Sequence, residues 1–393
     1  MLVDYWAARL AGLIGGCGPG ARSAKSVGAP RKLAALAGIS VVIPSRDGKH
    51  LLDAQLPGIV RDLEGTTSEV IVVDNGSDDG TAAWLGEQWP AVVTVVSTEP
   101  LGFARAVNRG IARARYGRIC LLNNDMLLEP GFFAALEGAF AGTAELFCAT
   151  AQIRFPAGVR REETGKAVMR QESPLDFPVR CDEPLPGEDG TWVLYGSGGC
   201  SLYDAEKLRA LGGVDEAYDP AYVEDLDLGY RAWLHGWPSV YVAGALVEHR
   251  HRATTSRYYT EEQLADVLEI NYLKFLARAV ESRALFRRLW RQDLDRLRDT
   301  RRTAALRAAA GIALRGRRKD RPVEAEEMLL ALTDGSVACF PGRGTGAPVV
   351  VASERLEPPP SALLERHGQV VMVRGAVESP AYRAAKSRVL GLR

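Results

Sequence analysis

Polar side chains that could bind phosphates or a cation follow three apolar runs of this sequence. They are Ser45, Arg46 and Asp47 after the first run, Asp74 and Asn75 after the second, and Asn123, Asn124 and Asp125 after the third. Carboxylate oxygens are ligands that hard divalent cations prefer, and amides can hydrogen-bond a base or a sugar. Any one group also fits a simple turn, because turns favour Asp and Asn. Three such groups together favour a binding site.

An acidic segment and two histidines lie further along the chain. Glu224 and Asp225 precede apolar residues with helical spacing, so they would lie in a first helical turn, where the helix dipole stabilises negative charge. A charged helix start with no chemical role is one alternative. His249 and His251 follow a predicted strand over 240–247. Imidazole beside a carboxylate suits Mn²⁺ better than Mg²⁺, although a lone histidine is usually structural or exposed.

The elements that would position these residues alternate between strands and helices. Apolar, β-rich runs predict strands over 39–43, 69–73, 92–96 and 118–122, and the intervening segments predict helices over 51–63, 81–88 and 101–115. Continuous apolar strands that alternate with helices are typical of an α/β fold with a mostly parallel sheet covered on both faces.

Such sheets bind ligands beyond the carboxyl ends of their strands, where the three polar groups would meet. The first strand is followed by Pro44 to Gly48 and not by G-x-G-x-x-G, and no G-x-x-x-x-G-K-[ST] occurs. A nucleotide would therefore be held by acidic and amide side chains together with a metal ion.

Six stretches of the sequence resemble glycosyltransferase family 2, in particular its rhamnosyltransferase-like bacterial members. They are ISVVIPSRDG (39–48), EVIVVDNGSDDGT (69–81), LGFARAVNRGI (101–111), LLNNDMLLEPG (121–131), LGGVDEAYDPAYVEDLDLGYRA (211–232) and VEHRHRATTS (247–256). They follow one another in the order of the family and cover about residues 39–275. The resemblance implies the GT-A fold, in which a Rossmann-like nucleotide-binding half joins an acceptor half.

The resemblance also implies roles for single residues. Asp74 would accept a hydrogen bond from the nucleobase, and Asp225 would act as the general base that takes the proton of the acceptor hydroxyl. Asp125 occupies the last position of the D-x-D signature and would hold a divalent metal, Mn²⁺ or Mg²⁺. The chain departs from the signature at Asn123, so the metal needs a further ligand. His249 is the preferred one, with His251 as its rival.

Other residues complete the expected site. The nucleotide-sugar would also contact Pro44, Ser45, Arg46, Asn75, Gly102, Arg105, Asn108, Asn123, Asn124 and Gly199, and the acceptor would contact Glu224 and Trp192. Trp192 could equally belong to the core. The expected partners are a UDP-, TDP- or GDP-sugar and a saccharide, lipid-linked or other hydroxyl acceptor.

Composition limits the remaining possibilities. The 393 residues carry a formal net charge of zero, which gives no general attraction to nucleic acid. The six cysteines show no metal or redox spacing, and no run approaches the roughly 20 apolar residues of a membrane span. We therefore expect a cytoplasmic protein.

We predict four regions in the chain. They are an N-terminal helix and linker (1–37), the glycosyltransferase domain (38–275), basic amphipathic helices (276–324) and a small C-terminal segment (325–393). The basic helices could lie peripherally on the anionic inner face of a membrane, or they could pack on the catalytic domain with a solvated basic face. The role of 325–393 stays open.

The sequence thus predicts an inverting hexosyl- or rhamnosyltransferase, active in cell-wall, capsule, O-antigen or glycolipid synthesis. One alternative is a catalytically inactive nucleotide-sugar-binding or scaffold protein. Another is a sugar-phosphate nucleotidyltransferase, which should carry a Gly-rich basic loop after the first strand, and Pro44 to Gly48 does not resemble one.

Overall fold

The computed structural model describes residues 36–141, 144–156, 167–168, 179–180, 189–190, 192–250, 257–281, 283–312, 337–341, 349–353 and 370–374, with single residues at 380 and 384. The predicted N-terminal helix and nearly all of the linker after it lie outside these residues, as does His251.

Strands and helices alternate over residues 36–122, as the sequence predicts. The helices are α1 (Lys49–Asp62), α2 (Thr81–Gln88), α3 (Phe103–Arg113), α4 (Phe132–Phe140), α5 (Ala205–Ala210), α6 (Glu224–Leu234), α7 (Glu261–Arg278), α8 (Arg283–Asp299) and α9 (Thr303–Ala309). The strands are β1 (Leu36–Ser45), β2 (Ser68–Asn75), β3 (Val93–Ser97), β4 (Tyr116–Leu122), β5 (Met126–Leu128), β6 (Cys148–Arg154), β7 (Ala167–Val168), β8 (Val179–Arg180), β9 (Trp192–Val193), β10 (Cys200–Asp204), β11 (Ser239–His249), β12 (Val337–Pro341), β13 (Val349–Ser353) and β14 (Val370–Arg374).

A nine-stranded sheet organises the chain, in the order β3-β2-β1-β4-β10-β6-β11-β5, with β9 on β11. Strands β3, β2, β1 and β4 pair in parallel, and so do β6 and β11. Strand β10 is antiparallel to both β4 and β6, which gives all six parallel-paired strands one direction. This mostly parallel sheet confirms the predicted α/β fold.

Both faces of the sheet are buried. Along β1, Val41 and Ile43 point into one hydrophobic cluster and Val42 into the other, as the two-residue period of a strand requires. Helix α3 packs closely on the second face because Gly110 has no side chain: a Cβ there would lie 2.2 Å from Val42 Cγ1.

The basic helix α8 packs on the rest of the protein with its apolar side. Phe286 and Leu289 are buried in the larger core cluster, while Arg287 and Arg291 are exposed. This packing leaves the arginine side of the helix exposed to solvent. In the described part of the chain, no helix combines the length and low polarity that a membrane crossing needs.

Candidate functional site

The ends of β1, β2 and β4 bring their polar side chains together. Ser45 and Asp74 are opposite each other in the parallel pair of β1 and β2. Asn124, just beyond β4, donates from Nδ2 to Ser45 Oγ over 2.9 Å. All three side chains are buried. Asp74 Oδ1 also accepts the Ser77 N–H at 3.2 Å, so this carboxylate shapes the local turn as well.

Asn75 connects the same sheet edge to the segment before α3. Its amide forms two hydrogen bonds with the backbone of Leu101, at 2.9 and 2.7 Å. This pairing fixes the residue that precedes Gly102. Gly102 is the N-cap of α3, and a Cβ there would lie 1.8 Å from Asp219 Oδ1, so the position admits no larger residue without movement.

The loop after β1 is also contacted by two residues that precede α7, Arg257 and Tyr258. Tyr258 donates its hydroxyl hydrogen to Asp47 Oδ2, and its ring lies 3.9 Å from the Arg46 guanidinium carbon. The hydrogen bond from Tyr258 lowers the pKa of Asp47 below its ordinary 3.8. Arg257 donates to the Asp47 carbonyl over 2.9 Å. Arg257 and Tyr258 therefore support the segment that follows Pro44, and sequence reasoning missed both residues.

A buried glutamine of α1 supports the Asn123–Asp125 turn. Gln55 Nε2 donates to the carbonyl oxygens of Asn123 and Met126, at 2.5 and 2.7 Å. Gln55 is 2% exposed. No local pattern singles out a glutamine in an amphipathic helix, so this support could not be predicted from the sequence.

Asp125 and His249 meet across the antiparallel pair of β5 and β11. Their closest atoms, His249 Nε2 and Asp125 Oδ2, are 3.3 Å apart. Asp125 Oδ1 is buried and has no hydrogen-bond partner among the described residues. A carboxylate oxygen left open beside an imidazole is the chemistry that a divalent cation fits. Among the described residues, no three His, Cys, Asp or Glu side chains converge.

The Gly198–Gly199 segment connects this turn to Asp225. The Asn123 N–H donates to the Gly199 carbonyl at 2.8 Å, and a Cβ on Gly199 would lie 2.5 Å from Asn123 Nδ2. The Gly198 N–H donates to Asp225 Oδ2 at 3.3 Å. Asp225 Oδ1 accepts the Leu226 N–H at 2.8 Å. Asp225 and its neighbour Glu224 are both at least nine-tenths buried at the start of α6.

The third acid of α6, Asp227, has a structural environment. It accepts from Arg231 Nε at 2.6 Å and from the Tyr218 hydroxyl at 3.1 Å. Burial raises the pKa of Asp227, although both hydrogen bonds oppose that shift. These contacts tie the first turn of α6 to the loop before it and to the next turn of the same helix.

Three predicted contacts lie in other surroundings. Asn108 exchanges two hydrogen bonds with the backbone of Val214, and Arg105 forms a half-exposed ion pair with Glu216 over 3.6 Å. Trp192 is 4% exposed and meets Trp233 edge to face in the core. Their roles in binding donor or acceptor stay predictions.

Comparison with known proteins identifies relatives. A rhamnosyltransferase of Mycobacterium tuberculosis, N-acetylglucosaminyl-diphospho-decaprenol L-rhamnosyltransferase, is 30% identical over 212 residues, which are 48% of this chain and 68% of that protein. Validoxylamine A glucosyltransferase of Streptomyces hygroscopicus subsp. jinggangensis is 28% identical over 223 residues, or 51% and 52% of the two chains.

Among solved structures, a mannosyltransferase of Pyrobaculum calidifontis, in complex with GDP-Man and Mn²⁺, superposes with a TM-score of 0.46 at 15% identity, covering 79% of this chain and 81% of that one. The family described as "Glycosyltransferase like family 2" matches residues 37–267, more than half of the sequence. The resemblance seen in the motifs is thereby confirmed, and the chain belongs to glycosyltransferase family 2.

Proposed function

We propose that the protein is an inverting glycosyltransferase that moves a sugar from a nucleoside-diphosphate sugar to a hydroxyl acceptor. The observation that carries this proposal is the continuous contact from Ser45 through Asn124 and Gly198–Gly199 to Asp225. We call residues 44–47, 74–75 and 123–125 the donor side of the site. We call residues 198–199 and 222–225 the base side.

On the donor side, Asp74 and Arg46 would hold the base and ribose, and the amides of Asn123 and Asn124 would orient the sugar-phosphate. Asp125 and His249 would hold a divalent cation, Mn²⁺ or Mg²⁺, which offsets the charge of the departing diphosphate when it is bound. The buried, unpartnered Asp125 Oδ1 supports this assignment.

On the base side, Asp225 would take the proton of the acceptor hydroxyl. The hydroxyl oxygen would attack the anomeric carbon from the face opposite the diphosphate, so one bond forms as the other breaks and the configuration inverts. Two backbone N–H groups, those of Gly198 and Leu226, donate to the Asp225 carboxylate and fix its orientation at the start of α6.

The relatives suggest the substrate class. Their names contain rhamnosyl and glucosyl groups, and one contains N-acetylglucosaminyl-diphospho-decaprenol, a sugar linked to a lipid through a diphosphate. We infer a hexosyl or rhamnosyl donor and a hydroxyl acceptor that can be lipid-linked, in polysaccharide or glycolipid synthesis. Exposed arginines of α8, among them Arg287 and Arg291, could bring the protein to an anionic membrane surface.

A ligand screen tests the proposal. UDP-glucose, TDP-rhamnose and GDP-mannose are each added with and without Mn²⁺ while the melting temperature is measured, because a ligand that binds the folded state raises it. One donor should raise it more in the presence of Mn²⁺. That donor is then incubated with the enzyme, and NMR follows release of the sugar and its anomeric configuration. Metal-assisted binding without turnover would favour the alternative of an inactive binding or scaffold protein.

A further inference from the structure

The loop over residues 214–223 ends in an uncommon backbone conformation directly before Glu224 and Asp225. Tyr222 and Val223 have φ angles of 73° and 76°, in the left-handed region that favours glycine. A β-branched residue such as Val223 rarely adopts this region. Two such residues in succession persist only where the surrounding structure determines them.

Helix α7 supplies that structure. Asn271 Nδ2 lies within hydrogen-bond distance of three carbonyl oxygens of the loop: Tyr218 at 3.1 Å, Ala221 at 2.8 Å and Tyr222 at 3.1 Å. Asn271 is 1% exposed. Its Oδ1 accepts from Lys274 Nζ at 2.8 Å, which fixes the orientation of the amide.

Two further residues of α7 extend the contact along the loop. Lys274 Nζ also donates to the Ala217 carbonyl at 2.9 Å, and Arg278 Nε donates to Asp215 Oδ2 at 3.0 Å. Residues 271, 274 and 278 share one helix face, because they are three and four positions apart. On its other side the loop meets α3, where the Phe103 N–H donates to the Pro220 carbonyl at 2.7 Å.

The amide is the group this position requires. Three carbonyl oxygens need a donor and the Lys274 ammonium needs an acceptor, and the side chain of asparagine supplies both. Aspartate has the same shape but, when ionised, would put a second acceptor against the carbonyl oxygens.

We propose that Asn271 is a positioning residue for Asp225: it holds Tyr222 and Val223 in the left-handed conformation and thereby directs the Asp225 carboxylate toward the acceptor. The inference rests on the proposed role of Asp225 as the base. Asn271 itself does not touch substrate, and its effect passes through the loop.

The test compares Asn271→Asp with Leu273→Ala in the full chain. Leu273 is on the same helix but packs in a separate cluster with Leu297 and Ala305. With the donor found in the screen and water as the hydroxyl acceptor, Asn271→Asp should lower kcat by about tenfold or more and leave the KM for the donor nearly unchanged. Leu273→Ala should lower the melting temperature at least as much and keep kcat within about twofold.

Hydrogen exchange gives a readout that needs no activity. Amides of residues 218–227 should exchange faster in Asn271→Asp, and not in Leu273→Ala. Where Asn271→Asp fails to fold, Lys274→Met is used, with about a threefold loss of kcat expected and the same exchange pattern. The inference would be overturned if hydrogen exchange over 218–227 were unchanged in Asn271→Asp. It would also be overturned if Asn271→Asp and Leu273→Ala had equal melting temperatures and lost equal amounts of kcat. An inactive wild-type protein would instead remove the proposed function, and the exchange data would still decide the role of Asn271.

Discussion

The donor side and the base side of the site are held by different kinds of structure. On the donor side, Ser45, Asp74 and Asn124 lie at the ends of paired strands, and the register of the sheet brings them within reach of one another. On the base side, Asp225 follows a loop with two left-handed residues that a side chain of α7 contacts. On the donor side, strand pairing alone is enough to place the side chains. On the base side, the position of Asp225 depends on a strained loop and on residues far along the chain that hold this loop.

The largest effect should come from Asp225→Asn. This change keeps the shape of the side chain and removes the carboxylate proposed as the base, so turnover should fall by about 10²-fold or more while donor binding stays nearly intact. Single-turnover kinetics and donor melting shifts measure the two quantities. Asp295→Asn, the same change on the exposed face of α8, is the control. If Asp225→Asn had normal turnover, Asp225 would not be the base, and the base side would have no chemical role that distinguishes it from the donor side.

A second pair of changes, Asp125→Asn and Asp74→Asn, separates the proposed metal ligand of the donor side from the residue proposed to bind the nucleobase. Asp125→Asn should weaken Mn²⁺ affinity by about tenfold or more, because even the loss of a residue that only hydrogen-bonds to a metal ligand has an effect of that size. The affinity is measured from the melting shifts with donor over a Mn²⁺ titration. Asp74→Asn is the matched control and should weaken donor binding equally with and without Mn²⁺. If Asp125→Asn left the Mn²⁺ dependence unchanged, the cation would have to be held elsewhere.

The smallest effect should come from Tyr258→Phe. This change tests whether the donor side needs the hydrogen bond from Tyr258 to Asp47 in addition to the pairing of its strands. The Tyr258 hydroxyl lowers the pKa of Asp47, so its stabilisation is present above the ordinary value of 3.8 and is lost as pH falls through the lower, folded-state pKa. At neutral pH the variant should melt about 2 °C lower or less, and the difference should narrow below about pH 4.

Tyr259→Phe, at the exposed neighbouring position, is the control for this measurement and should leave the melting temperature unchanged at either pH. A kcat loss in Tyr258→Phe as large as that expected for Asn271→Asp would break the contrast between the two sides.

That Ser45, Asp74 and Asn124 lie together could be predicted from the sequence, because the signals for it are local. Strands buried on both faces appear as continuous apolar runs, and the predicted strands over 39–43 and 69–73 lie inside β1 and β2. Polar residues after such runs must lie at the carboxyl edge of a parallel sheet. The expected fold followed from the same pattern.

The supporting residues could not be predicted because their signals are distant. Gln55, Tyr258 and Asn271 are single polar residues in or next to helices, and their partners lie between about 50 and 210 positions away. Nothing in the residue types of Tyr222 and Val223 indicates a left-handed backbone, because neither is Gly, Asn or Asp. The antiparallel strand β10 between β4 and β6 is also fixed by tertiary pairing alone.

Helix α7 also bears on where the shortest active fragment can end. The family match stops at residue 267, inside α7, and Asn271, Lys274 and Arg278 all come later. A fragment cut at that boundary would keep every residue of both sides and lose the helix face that covers the loop before Asp225. Fragments meant for assay or crystallisation should therefore extend at least through Arg278.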